Sequence, residues 1–183
     1  MPFEFEKQKI DGVVLVKPQV FGDHRGFFVE TYKKTDFVQN GIDANFVQTN
    51  HAKVPQHTLR GLYYQPSNTP QAKIVRCVRG EIFDVAVDLR KNSKTYKQWL
   101  GTKLSEENKN MLYIPEGFAH GYVVLSNGAE IIFKTTGEDC KNCTIGIKWN
   151  DPEIGINWDV SFEPILSEKD ENYPLLKEVE EKL

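Results

Sequence analysis

The sequence has no hydrophobic run approaching the roughly 20 residues needed to span a bilayer. Its first residues, Met1-Pro2-Phe3-Glu4-Phe5-Glu6, lack the basic and apolar regions of a secretory leader. A cytoplasmic protein is expected. Cysteine is scarce: Cys77, Cys140 and Cys143 form too sparse and odd a set for a disulfide framework, and they fit a reducing compartment. No sign of charge dominates. Lys and Arg number 23 against 26 Asp and Glu, a formal net charge of −3. That balance argues against a nucleic-acid or anionic-membrane surface and leaves only a local basic pocket. Internal repeats, low-complexity segments and linkers are also missing, so the 183 residues read as one domain, 1–183.

What is present is patterned for β-structure. Hydrophobic residues make up 39 % and aromatics 11 %, with eleven Phe and seven Tyr, rings that pack well on pleated surfaces. Short β-prone runs fall at 13–17, 26–32, 45–50, 58–65, 73–79, 81–88, 98–104, 110–114, 117–125 and 129–135. Their length and close spacing predict an all-β sandwich or barrel. A short helix is expected from Lys33 or Thr35 to Asn40, stopped by Gly41. Ser167 can cap a turn into the charged C-terminus, where 175–183 reads as helical. In the run 81–88, Phe83, Val85 and Val87 share one face, and Ile82, Asp84, Ala86 and Asp88 the other. Two carboxylates on that second face need water, partners or a cavity; the plain expectation is a solvated sheet face or a strand end.

A series of motifs runs through residues 3–173. Asp23-His24-Arg25-Gly26-Phe27-Phe28 is followed by Gln48-Thr49-Asn50, Leu59-Arg60-Gly61-Leu62-Tyr63-Tyr64-Gln65 and Gln71-Ala72-Lys73. Then come Gly80-Glu81-Ile82-Phe83-Asp84-Val85-Ala86-Val87-Asp88-Leu89-Arg90 and Ile114-Pro115-Glu116-Gly117-Phe118-Ala119-His120-Gly121. Trp149-Asn150-Asp151-Pro152, Ile156-Asn157-Trp158 and Leu166-Ser167-Glu168-Lys169-Asp170 close it. In this order the series resembles the dTDP-4-dehydrorhamnose 3,5-epimerase family. The resemblance implies a double-stranded β-helix, the cupin-type jelly roll, with short flanking helices. It also implies a homodimer, no cofactor, and a metal-independent site inside the barrel for a dTDP-linked 4-keto-6-deoxy sugar. The four histidines, at 24, 51, 57 and 120, offer no closely spaced pair of the kind metal-binding cupins use.

A carbon beside a ketone loses its proton because the charge spreads onto oxygen. Inverting it takes a base, a donor or cation for the enolate, and an acid on the other face. By resemblance, Lys73 is the enolate-stabilising lysine, and Arg60 offers a guanidinium fork to sugar and phosphate oxygens. Arg25 and Glu30 match positions that help hold the nucleotide across the dimer. Gln48 and Asn50, which share strand parity, match polar contacts inside the site, and His120 a ligand-contacting histidine. Arg60 and Tyr63 have opposite parity, so both face a cavity only if the strand bends or bulges, which Gly61 permits.

Two positions depart from the pattern. The family's base is a histidine supported by an aspartate; here the base position is Tyr63, while Asp170 matches the aspartate. A phenol with a pKa of about 10 is a poor base at neutral pH, unless Lys73 or Arg60 lowers it, and Asp170 would oppose that. The family's acid is a tyrosine, which aligns with Phe133. The catalytic candidates are thus Tyr63, Lys73 and Asp170. An aromatic near Asp139 and a glutamate near Thr144 that the family uses are absent. The loop Cys140-Lys141-Asn142-Cys143 reads most plainly as two loop thiols, with a redox pair or half a zinc site as alternatives. Three functions follow: a 3,5-epimerase, a single-position epimerase or keto-isomerase, or a non-catalytic sugar-nucleotide binder.

Overall fold

The computed structural model describes residues 2–138, 140 and 143–183. Two sheets face each other. One holds, in spatial order, β1 (Phe3–Lys7), β2 (Val14–Pro18), β10 (Met111–Ile114), β7 (Lys73–Arg79), β12 (Ala129–Thr135) and β5 (Gln48–Val54). The other holds β13 (Ile145–Gly146), β6 (Leu59–Tyr64), β11 (Phe118–Val124), β8 (Glu81–Asp88) and β9 (Trp99–Ser105). A separate hairpin joins β3 (Val20–Asp23) to β4 (Gly26–Val29). All pairings within these sheets are antiparallel, as the alternating sequence patterns require. This is the expected jelly roll, and its helices are short: α1 (Lys34–Gln39), α2 (Glu168–Glu171), α3 (Leu176–Val179) and a final 3-10 turn. Among the described residues no helix is long and apolar enough to cross a membrane.

Strand parity sorts the core into three clusters. Inside the barrel, Val75, Cys77, Ile82, Ala86, Leu104, Leu112, Tyr122 and Ile131 interdigitate from both sheets. The outer face of the second sheet, with Phe83, Val85 and Val87, is covered by the C-terminal segment through Ile147, Ile154, Trp158, Leu176 and Val179. Asp151 secures that cover: its carboxylate accepts from the backbone N–H groups of Glu153, Ile154 and Leu176. The outer face of the first sheet packs Val14, Val16, Ile74 and Met111 against Phe3, Phe37 and Ile42. Since β8 is covered on both faces, its second face is not solvated as expected. Asp84 and Asp88 are both fully buried. Asp88 accepts from Arg90, Ser93 and Thr95 at the strand end, whereas Asp84 points into the barrel.

Several boundaries also differ. The run at 45–50 becomes a strand only at Gln48 and extends to Val54, because all of β12 is available to pair with it. The run at 26–32 stops at Val29, since its only partner is four residues long. The strands β1, β3 and β13 were not anticipated. Cys140 and Cys143, read as loop thiols, are joined as a disulfide; a two-residue spacer brings their Cα atoms to 5.3 Å, within bonding reach. The expectation about Asp139 lies outside the described residues.

The irregularity that matters most lies in β6. Opposite it on β11, Tyr122 pairs with Arg60 and His120 with Tyr63, so between these pairs one residue of β11, Gly121, faces two of β6, Gly61 and Leu62. The surplus residue resets the parity. Leu59, Leu62 and Tyr64 join the outer cluster, while Arg60 and Tyr63 face inward. Gly61 makes this feasible with a φ of 132°, and a Cβ there would stand 2.6 Å from the Gly121 Cα. Gly61→Ala must therefore strain the backbone and push the two strands apart. It is expected to cost about 1–3 kcal/mol, read as a lower urea midpoint; an unchanged midpoint would mean that β6 absorbs the added carbon.

Candidate active site

A cavity of about 300 Å³ opens between the two sheets, lined by Arg60, Tyr63, Lys73, Val75, His120, Tyr122, Phe133, Ser167 and Asp170. The strands supply it in a simple way. Lys73 and Val75 alternate inward on β7, and Phe133 lies beside Val75 on β12. The facing wall comes from β6 and β11, through Arg60, Tyr63, His120 and Tyr122. The short helix α2 closes one side. Its cap, Ser167, accepts a hydrogen bond from the Asp170 N–H and donates one to Asp170 Oδ2 at 2.8 Å, which fixes the carboxylate.

The Tyr63 hydroxyl donates to the same Asp170 Oδ2 at 3.2 Å. Burial first, and then the Asp170 charge and hydrogen bond, push the Tyr63 pKa far above the usual phenol value. Tyr63 thus stays a neutral donor at any ordinary pH, the shift that Asp170 was expected to impose, and a base role would require the opposite. Its ring also meets Tyr173 edge-on at 6.2 Å, and Tyr173 lies over Gly146, where any Cβ would clash with the ring.

Lys73 extends into the protein interior. Burial lowers its pKa to about 8, opposed only in part by the Asp84 charge. Asp84 Oδ1 lies 2.8 Å from His120 Nε2, and Asp84 Oδ2 has no hydrogen-bond partner. Tyr122 bonds with Arg60, and burial raises its pKa to about 12. The cavity is therefore electrically split: cationic Lys73 and Arg60 suit an anionic ligand, and two buried carboxylates orient their neighbours. Among the described residues no group of three or more His, Cys, Asp or Glu is placed to hold a metal ion.

Of the residues singled out from sequence, Arg60, Tyr63, Lys73, His120 and Asp170 meet in the cavity, and Phe133 is there too. Gln48 and Asn50 lie on the adjoining β5, with Asn50 directly opposite Phe133 and Gln48 bonded to Asn50 at 2.8 Å. Arg25 and Glu30 do not reach this chain's cavity. Arg25 stands at the hairpin tip, paired with Asp23 and 78 % exposed, while Glu30 follows the hairpin with one buried carboxylate oxygen unpartnered. Asp84, Tyr122 and Ser167 were not singled out as site residues. For Asp84 the signal was present: an acidic residue on the same strand face as Ile82 and Ala86.

The sequence model of the dTDP-4-dehydrorhamnose 3,5-epimerase family matches residues 7–178. The chain is 50 % identical over 171 residues to the dTDP-4-dehydrorhamnose 3,5-epimerase of Salmonella typhimurium, covering 93 % of each chain. It is 46 % identical over 178 residues to the enzyme of that name from Methanothermobacter thermautotrophicus, covering 96 % of each. Among solved structures, a dTDP-6-deoxy-D-glucose-3,5-epimerase from Legionella pneumophila in complex with dTDP-4-keto-L-rhamnose superposes with a TM-score of 0.92 at 39 % identity. That match covers 96 % of this chain and 93 % of the other.

The buried lysine makes stability depend on pH. Its folded pKa of about 8 lies below its ordinary 10.5, so between those values the unfolded chain binds more protons. Stability must rise as pH climbs through that window. Lys73→Met removes the buried charge and is expected to raise the melting temperature of the unliganded protein at pH 7. The advantage should shrink as pH approaches 10.5. A variant less stable than wild type at pH 7 would mean the ammonium has a compensating partner.

Proposed function

The chain belongs to the dTDP-4-dehydrorhamnose 3,5-epimerase family, and from that premise we propose that its cavity binds a dTDP-linked 4-keto-6-deoxy sugar and epimerises it. Removal of the proton beside the keto group leaves an enolate, and a proton is then returned from the other face. The observation that carries this reading is Lys73: a part-buried ammonium facing the cavity is suited to hold the negative charge that develops on the ketone oxygen. Arg60, exposed at the mouth, suits the diphosphate. Gln48 and Asn50 lie one strand away, suited to sugar and base contacts. His120 meets the ligand beside Tyr63, whose neutral hydroxyl is held by Asp170. No cofactor is needed, because the substrate's own carbonyl stores the electron pair.

A homodimer is part of the reading. Among the described residues the β3–β4 hairpin pairs with no other strand, and it exposes Phe21 (49 %), Phe27 (60 %) and Phe28 (64 %). A second copy is the natural cover for such a strip, and it would bring Arg25 and Glu30 to the neighbour's cavity. Phe27→Asp with Phe28→Asp is expected to yield a monomer by light scattering and to weaken dTDP binding; a variant of unchanged mass would remove the hairpin from the interface.

Phe133 favours a second reading, reaction at a single carbon, because its ring offers no proton on the β12 wall. Incubation with dTDP-4-keto-6-deoxyglucose in D₂O separates the two. Deuterium at C3 and C5 marks the 3,5-epimerase, at one carbon the narrower enzyme, and at neither refutes the reading. A general acid is worth about 10²–10⁴-fold, and Phe133 cannot serve as one, so wild-type 3,5-epimerisation should be slow. Tyr63→His combined with Phe133→Tyr should raise it above either single change, since the two groups act in one proton-transfer sequence. No gain in the double variant, with dTDP binding intact, would mean the cavity is shaped for another sugar.

A further inference from the structure

Resting on the epimerase reading, we infer that His120 is the group that takes the proton from the sugar carbon in this chain, with Asp84 as its positioning residue. Three observations lead there. His120 is the direct cross-strand partner of Tyr63 on the inward face, and side chains so paired have Cβ atoms about 4.5–5.5 Å apart. An imidazole therefore stands one strand over from the position that Tyr63 fills. Next, a fully buried Asp84 engages His120 Nε2 at 2.8 Å. A carboxylate there holds the proton on Nε2 and leaves the lone pair on Nδ1. Finally, most of the other cavity groups are committed. Tyr63 donates to Asp170, Asp170 Oδ2 already accepts from Tyr63 and Ser167, Lys73 and Arg60 supply positive charge, and Phe133 carries no polar atom.

The step balances. The C–H bond breaks and its electron pair forms the carbon–carbon double bond of the enolate. The carbonyl π pair moves to the oxygen beside the Lys73 ammonium, and the proton ends on His120 Nδ1, giving an imidazolium opposite Asp84. Water delivering a proton to the other face inverts the carbon, and His120 then releases its proton to solvent.

The test follows deuterium wash-in from D₂O into dTDP-4-keto-6-deoxyglucose by NMR, with dTDP affinity measured by calorimetry as a control. His120→Asn and His120→Gln are each expected to slow wash-in at least about 100-fold while dTDP still binds. Tyr63→Phe should lose less than about tenfold, a smaller effect than removal of a general base. Asp84→Asn should lower kcat for exchange with little change in KM, as expected of a residue that sets the imidazole's tautomer. Wash-in by both His120 variants near the wild-type rate would overturn the assignment and leave the epimerase reading standing. Loss of wash-in only together with dTDP binding, in both variants, would overturn it in favour of a structural histidine. A wild-type protein that binds dTDP yet admits deuterium at neither C3 nor C5 would overturn both.

Discussion

Two residues of β6, Gly61 and Leu62, lie against the single Gly121 of β11, and the site depends on that mismatch. A regular strand would send Arg60 and Tyr63 to opposite faces, placing one of them in the outer cluster among Leu59, Leu62 and Tyr64. The extra residue lets the strand serve both faces. Its apolar side chains anchor the C-terminal cover, while Arg60 and Tyr63 enter the cavity. That cover in turn presents α2, and with it the Asp170 carboxylate that meets Tyr63. Outer packing and inner chemistry thus share one short strand, and Gly61 is the residue whose missing Cβ allows the sharing.

The second organising element is the carboxylate of Asp84. An ionised group without a counter-charge is costly to bury, and here His120 takes one oxygen while Lys73 supplies positive charge nearby. The arrangement ties β8 and β11 to β7 across the barrel interior. It also keeps Lys73 from losing its proton as readily as burial alone would dictate. A lysine with a pKa near 8 is mainly cationic at neutral pH, which is the state an enolate partner requires. Among the cavity groups described, Asp84 Oδ2 is the one buried polar atom left without a hydrogen bond; the rest of the barrel interior is filled mainly by apolar side chains.

Much of this was legible in the sequence because strand parity is a strict rule. The runs 73–79, 81–88 and 129–135 coincide with β7, β8 and β12, and their inward residues follow by counting. The bulge in β6 was foreseeable from two residues that both had to face inward with a glycine between them. The short β13 was not, since Ile145 and Gly146 form a strand only because the edge of β6 is free to pair. Asp84 was misjudged for a related reason: alternation tells which residues share a face, not what covers it. Both faces of β8 are covered, one by the opposite sheet and the other by residues more than 60 positions later in the chain. The Cys140–Cys143 disulfide corresponds to the redox-pair alternative rather than to the two loop thiols read first, because a single Cys-x-x-Cys does not choose between them.

The tyrosine at 63 and the phenylalanine at 133 differ in physical consequence. Phe133 sets an apolar ring beside Val75 on the cavity wall. Tyr63 instead retains a polar tip, and it needs one. Asp170 is almost wholly buried, and a carboxylate so placed without donors would cost several kcal/mol. Tyr63 and Ser167 together satisfy its Oδ2. Tyrosine at 63 is thus coupled to Asp170 through its hydroxyl proton, but unlike an imidazole it has no second ring nitrogen to turn toward a substrate. The pair has kept its mutual stabilisation and given up its basicity. Any proton acceptor must then lie elsewhere in the cavity, and the one carboxylate there that orients an imidazole is Asp84.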